Sequence, residues 1–295
     1  MNSLFKTPRL LWYAAIATVF FPLAVSASAA EVTIAASGQA KLRIVISERA
    51  SETVRSGAAD LAHYLQRISG ASFEIGTGTG ARGLVVGIPE NFTDLPFQTH
   101  FSDGPFQRDH YRIVSTREGL YLLAASPGAV EFAIWDLLQQ FGYRFYFPSK
   151  IWEVIPAQEQ LRIDVDRFEK PDFYNRSAPR GGIRRAQRPW SIEDWDHWQV
   201  RNRTKSSFSL STGHAYDGIL SRHRDEFQRH PEYLAWRGNQ SSPGDGQRGG
   251  NKFCISNPGL RELVLRDAVA QIKADPTRDS VSLDPSDGGG WCECD

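Results

Sequence analysis

The chain has 295 residues, 41% of them hydrophobic, with 34 lysines and arginines balanced by 34 aspartates and glutamates for a net charge of zero. That balance excludes a global electrostatic footprint for nucleic acid or an anionic membrane surface. The length suits one or two domains once a leader is set aside.

The leader comes first. MNSLFKTPRL carries Lys6 and Arg9, the apolar run LWYAAIATVFFPLAV (11–25) follows, and Ala27-Ser28-Ala29 supplies small residues. This is the three-part layout of a secretory signal peptide over 1–29, with cleavage expected after Ala29 or Ala30. The run is short and contains Pro22, which argues against a membrane anchor. The expected mature protein is secreted or periplasmic and keeps no stable membrane anchor.

The next stretch alternates strands and helices. KLRIVIS (41–47) has the period of a strand, and 52–69 place Val54, Ala58, Leu61, Ala62, Leu65 and Ile68 on one helical face. Ser51 can cap that helix and Gly70 can stop it. SFEI (72–75) and GLVVGI (83–88) read as short strands; YRIVS and LYLLAAS flank the turn Thr116–Gly119 as a hairpin. A second helix starts at Ser126-Pro127, buries Val130, Ile134, Leu137, Leu138 and Phe141, and stops at Gly142. YRFYF, WEVI and LRIDV (161–165) finish as strands. Two helices against a mixed sheet predict an α+β sandwich domain over 31–168. GTGARG (78–83) matches the dinucleotide fingerprint on paper, but a strand follows it where a helix N-terminus is needed, so a strand connection is expected.

At EKPDFYNRSAPRGG (169–182) the composition shifts. Arg176, Arg180, Arg184, Arg185 and Arg188 crowd together, and Trp190, Trp195, Trp198, Trp236 and Trp291 all lie beyond. RPWSIEDWDHWQVRNR (188–203) reads as a polar helix whose tryptophans pack, and GNQSSPGDGQRGGN (238–251) as a loop. Asn257-Pro258 opens a helix burying Leu260, Leu263, Val264, Ala268 and Ile272, with Pro276 beyond its end. Val281–Leu283 alternates as a strand that parallel neighbours would bury. From 173 the order strand, helix, strand, loop, helix, strand is that of a (β/α)8 barrel at its start, an α/β architecture. Such a barrel takes roughly 250 residues. Only 123 follow Asp172 (295 minus 172), so 172–295 is expected to be the incomplete first part of one.

GAADLAHYLQRISGASFEI (57–75) resembles the first helix and strand of the non-catalytic N-terminal domain in alpha-glucuronidases of glycoside hydrolase family 67 and in beta-hexosaminidases. VEFAIWDLLQQFGYRFYFPSKIWEVIP (130–156) is similar to that domain's closing helix and strands. HPEYLAW, FCISNPGLRELVL and VSLDPSDGGGWCECD resemble the bacterial family called domain of unknown function 4838. The resemblance implies a glycosidase-like barrel after the first domain and a carbohydrate partner. In that family the chain runs on past the CEC motif, usually to another cysteine. Carried over by position, Arg176 matches an arginine on the first barrel strand and His214 a histidine after the second. His230, Asn257, Asp287, Trp291, Cys292 and Cys294 match the later motifs.

Glycoside hydrolysis needs two carboxyl groups, about 5–5.5 Å apart for retention or about 6.5–9.5 Å for inversion. Asp284 and Asp287 follow a predicted barrel strand, where barrel enzymes place their chemistry, and are the catalytic candidates; turn formation is their plainer alternative. Trp291 offers a flat face to a sugar ring. His214 could bind hydroxyls or move a proton, or be a structural histidine. Arg176 and Arg180 could grip a sugar carboxylate, as in a uronic acid, or belong to a solvated basic loop. Asn257 completes the binding candidates. The expected cysteine arrangement is a disulfide from Cys254 to Cys292 or Cys294, because C-x-C is tighter than usual zinc spacing and exported proteins meet oxidising conditions. Neither metal nor cofactor is expected. A non-catalytic carbohydrate-binding protein and a structural accessory domain are the rival classes.

Overall fold

The computed structural model describes residues 30–176, 190–239 and 242–294. The expected signal peptide and Arg180, Arg184, Arg185 and Arg188 lie outside the described residues. Among the described residues no helix is long and apolar enough to cross a membrane.

The first part is a layered α+β unit. Its main sheet contains β3 (Ile44–Ile46), β4 (Ile75–Thr77), β5 (Gly83–Gly87), β6 (Tyr111–Thr116), β7 (Gly119–Ala124) and β11 (Asp166–Glu169), in the spatial order β11-β6-β7-β5-β3-β4. The β4-β3-β5-β7 pairings are parallel, while β6-β7 and β11-β6 are antiparallel. A smaller sheet joins β10 (Gln160–Ile163), β1 (Val32–Ala36) and β2 (Gln39–Ala40), and β8 (Arg144–Phe145) pairs with β9 (Glu153–Val154). The sequence pattern misses β1, β2 and β11, which are alanine-rich or polar, and places the β4 strand too early.

Two helices cover one face. In α1 (Glu52–Ser69) the Ser51 hydroxyl accepts from the Val54 N–H, and Gly70 closes the end at φ +74°. In α2 (Pro127–Gln140) Ser126 caps the Ala129 N–H and Pro127 opens the first turn. Val54, Ala58, Leu61, Leu65 and Ile68 meet Val130, Ile134, Leu137 and Leu138 in one core over the sheet. Each such side chain contributes about 1.5–3 kcal/mol when fully buried. The opposite face buries Val85, Val114, Tyr121 and Leu123 under Phe92, Phe97 and Phe101. Strand β5 is therefore buried on both faces, as a near-continuous apolar parallel strand should be. Gly119 has φ +152°, and a Cβ there would meet the Gly83 carbonyl at 2.0 Å, so this β5–β7 approach requires glycine.

The second part begins with α3 (Ile192–Arg201), opened by a Ser191–Asp194 capping box. Trp198 and Val200 pack onto the first core. Arg201 inserts beside Trp135, Tyr64 and Phe145, bonding Glu153 at 2.9 Å and the Tyr143 hydroxyl at 3.1 Å. Beyond lie α4 (Tyr216–Arg222), α5 (Arg224–Arg229), β12 (Leu234–Asn239), β13 (Ser242–Phe253) and α6 (Pro258–Ala274), around a small core of Ile219, Phe227, Tyr233, Phe253, Leu260 and Leu263.

Three expectations need correction here. The described residues of 238–251 are strand rather than loop: β12 and β13 pair antiparallel with Trp236 opposite Arg248 and Arg237 opposite Gln247. Gly246 makes room for the Trp236 indole, which a Cβ would strike at 2.1 Å. Val281–Leu283 is not a buried strand: it is extended without a ladder, and Leu283 is 49% exposed. Ile272 of α6 is exposed rather than buried. After Glu169 the described residues hold no parallel β-ladder, so the start of a barrel is not among them as regular strands. Instead, 209–215 and 279–284 run side by side, joined largely through side chains. Ser209 and Ser211 donate their N–H groups to Asp279 Oδ2 and Ser280 Oγ, at 2.8 and 2.7 Å. The Ser282 hydroxyl donates to the Gly213 carbonyl at 2.6 Å, and Ala215 N–H to the Asp284 carbonyl at 2.9 Å.

Candidate functional site

The Asp284–Trp291 segment carries three of the sequence candidates, Asp284, Asp287 and Trp291, and meets a fourth, His214. Gly288 and Gly290 adopt φ +86° and +87°, which lets the chain reverse tightly after Asp287. Ser286, 4% exposed, anchors the turn from below by donating its hydroxyl to Asp217 at 2.8 Å. Above it the Asp287 carboxylate stands in solvent, 92% exposed, with His214 Nε2 at 3.2 Å from its Oδ2. His214 is half-exposed. Trp291 is 55% exposed, and Lys252 lies over its ring with Nζ 4.5 Å from the centroid. Lys252 itself is 2% exposed and also donates to the Asp287 carbonyl at 3.2 Å. A desolvated ammonium against an indole is a strong cation–π contact, about 2 kcal/mol. It fixes the ring and the backbone of the DGGGW turn to β13.

The other candidates sit elsewhere or have different work. The Asp284 carboxylate accepts from the Gly213 N–H at 2.9 Å and so ties the turn to the neighbouring segment. Asn257 caps α6, its side chain accepting from the Leu260 N–H at 3.2 Å. His230 bonds Glu232 at 2.9 Å and stacks on Tyr233. Arg176 pairs with the buried Asp109 at 2.8 Å and donates to the carbonyls of Phe173, Arg203 and Lys205. Four of its N–H groups are thus bonded, and the cavity of about 250 Å³ that it lines with Asp109, Glu169, Lys170, Asp172 and Arg203 carries both signs of charge. It is a clamp between the two parts of the chain, not an open fork for a sugar carboxylate. Arg180 lies outside the described residues.

The cysteines also converge, but as three free thiols rather than the expected disulfide. Cys254 Sγ is 3.4 Å from Cys294 Sγ, which is 3.2 Å from Cys292 Sγ. Cys254 is buried at the end of β13, its backbone held by Tyr233 and Asn257. Burial alone would raise its thiol, but hydrogen bonds with Ser256, Cys294, Arg248 and Cys292 outweigh burial and bring it down to about 6.

The family model described as Domain of unknown function (DUF4838) matches residues 147–295, half of the chain, including His214, the Asp284–Trp291 turn and the three cysteines. The chain belongs to this family. No curated protein matches it. Among solved structures, the GH20 beta-N-acetylhexosaminidase from Streptomyces coelicolor A3(2) is similar at 20% identity and a TM-score of 0.34, over 51% of this chain and 26% of its own. A family GH115 4-O-methyl-alpha-glucuronidase with specificity for decorated arabinogalactans is similar at 17% identity and a TM-score of 0.40, over 62% of this chain and 25% of its own. The chain spans about a quarter of the length of these structures.

Within the DUF4838 segment, Lys252 and Arg248 are the residues that sequence reasoning missed. Both stand in a stretch rich in glycine and polar residues, which composition reads as solvated. The available signal was the apolar pair Phe253-Cys254 directly after Lys252.

Proposed function

We propose that this chain is part of an exported protein of glycoside-hydrolase type that acts on carbohydrate, with its substrate face formed by Asp287, His214 and Trp291. The observation that carries this reading is the open carboxylate of Asp287, paired with His214 at 3.2 Å, on the same short turn as a half-exposed indole whose position is fixed by Lys252. An indole face packs on the apolar face of a sugar ring, and a carboxylate–imidazole pair accepts and donates at ring hydroxyls or moves a proton. The resemblance of 57–75 and 130–156 to the non-catalytic domain of alpha-glucuronidases supports the same reading. So does the parallel course of 209–215 and 279–284 on either side of α4, the hairpin and α6, since strand positions in a (β/α)8 barrel are connected in that sense.

Asp284 is exposed but its carboxylate is engaged by the Gly213 N–H, which leaves Asp287 as the turn's carboxylate aimed at His214, where hydrolysis needs two. That favours, as a second reading, carbohydrate binding without turnover. Glycan-array binding and hydrolysis of a panel of glycosides by the full gene product separate the two. Trp291→Ala is expected to weaken glycan binding by roughly tenfold or more. Asp287→Asn is expected to leave binding in place and to lower turnover about 10²–10⁴-fold. Binding that responds to Trp291 with no turnover in the parent selects the second reading. Absence of both binding and turnover overturns the proposal.

A further inference from the structure

We infer that Cys254, Cys292 and Cys294 form a thiolate site for a soft divalent metal, zinc in the first place, which pins the substrate-face turn to the β12–β13 hairpin. The inference stands on the sulfur cluster alone and does not depend on the carbohydrate reading. All three Sγ atoms lie within 4.8 Å of one another. Sulfurs bound at about 2.3 Å around one tetrahedral Zn²⁺ stand roughly 3.8 Å apart, so the 3.4 and 3.2 Å separations need only a few tenths of an ångström of expansion. A single bridge would join two of these thiols and leave the third unpaired in the same cluster, whereas one metal ion uses all three.

The surroundings are those a thiolate site requires. The Trp236 backbone N–H donates to Cys292 Sγ at 3.3 Å. Ser256 Oγ is 3.3 Å from Cys254 Sγ and 3.5 Å from Cys294 Sγ. Arg248, fixed by the carbonyls of Glu232 and Leu234 at 3.0 and 2.8 Å, brings its guanidinium to Cys254 and feels all three thiols. Three thiolates around a dication carry one net negative charge, and one guanidinium cancels it. Such outer contacts hold sulfur oriented toward a metal. Binding releases the thiol protons to solvent without any change of oxidation state, so no oxidant is involved. Three protein ligands leave one tetrahedral position for solvent or a further donor.

The test is metal analysis of the full protein, purified without chelator, together with cobalt titration after chelation. About one zinc per chain is expected, with a thiolate-to-cobalt charge-transfer band on substitution and with all three thiols protected from alkylation until chelator is added. Cys292→Ser and Cys254→Ser should abolish the band. Arg248→Ala, which keeps every ligand, should weaken metal binding by roughly 10–100-fold. If the cysteine variants do not fold, the chelated parent protein still decides. Failure to take up cobalt overturns the inference whether its thiols alkylate freely or two of them react only after reduction.

Discussion

At the scale of single residues, the same chemistry serves position in one place and exposure in another. Arg176 illustrates the first. Its side chain is 16% exposed and its partner Asp109 is 6% exposed, with Asp109 also accepting from the Ser207 N–H. Arg176→Ala leaves that carboxylate buried without its cation and is expected to destabilise the fold by about 3 kcal/mol, measured as a shift in urea midpoint. Its effect on a uronate ligand and on a neutral sugar should be equal, because the guanidinium does not face a ligand. Asp267 gives a pH signature. Bidentate bonds from Arg222, helped by His223 and Gln271, hold its carboxyl down at about 2. A carboxylate depressed in the folded state stabilises above its unfolded pKa and loses that contribution as pH falls through the folded value. Asp267 therefore contributes about 2 kcal/mol above pH ~4, lost between pH ~4 and ~2. Denaturant melts of Asp267→Asn should show a correspondingly flatter pH dependence in that window.

At the scale of elements, what was legible in the sequence is what local chemistry dictates. Helices α1, α2 and α6 announce themselves by a capping side chain at Ser51, Ser126 and Asn257 and by an apolar face with a 3.6-residue period. The hairpin β12–β13 does not, because glycine, serine and proline have low strand propensity and only pairing across the turn selects the extended form. Val281 and Leu283 mislead in the opposite direction: their alternation is that of a buried strand, yet serine and aspartate side chains hold the segment at the surface. For the site, His214, Asp287 and Trp291 were legible through the motifs around them. The Arg176 clamp was hidden because Asp109 lies 67 positions away, and no local pattern encodes that meeting. Element packing also yields a sharp test at Gly119. A Cβ there would lie 2.0 Å from the Gly83 carbonyl, at a φ of +152°. Gly119→Ala should separate β5 from β7 and cost about 3 kcal/mol or more, read by thermal denaturation, with loss of amide protection at Leu84–Val86.

At the scale of the whole molecule, the two parts of the chain are interlocked rather than strung together. Trp198, Val200 and Arg201 of α3 complete the core made by α1 and α2, and Arg108 reaches Asp279 at 2.9 Å. A fragment ending at residue 172 would leave Glu153, Tyr143 and Tyr64 without Arg201. One ending at residue 206 retains that network and should melt higher, by roughly 6–12 °C if the lost network is worth about 3 kcal/mol. Equal melting of the two fragments would show that α3 adds nothing to the first core. Behind the candidate face, the seam between 209–215 and 279–284 is held mostly by hydroxyl and carboxylate side chains rather than by a backbone ladder, so its amides are expected to exchange sooner than those of β5 and β7. Amide exchange at Gly213 and Ala215 should slow when a glycan is bound, with no change in β5 and β7. His214 lies within one side of this seam and Asp287 just past the other, with 3.2 Å between their side chains. Two side chains carried on segments joined mainly through side-chain hydrogen bonds can change rotamer without disturbing the packed sheet behind them.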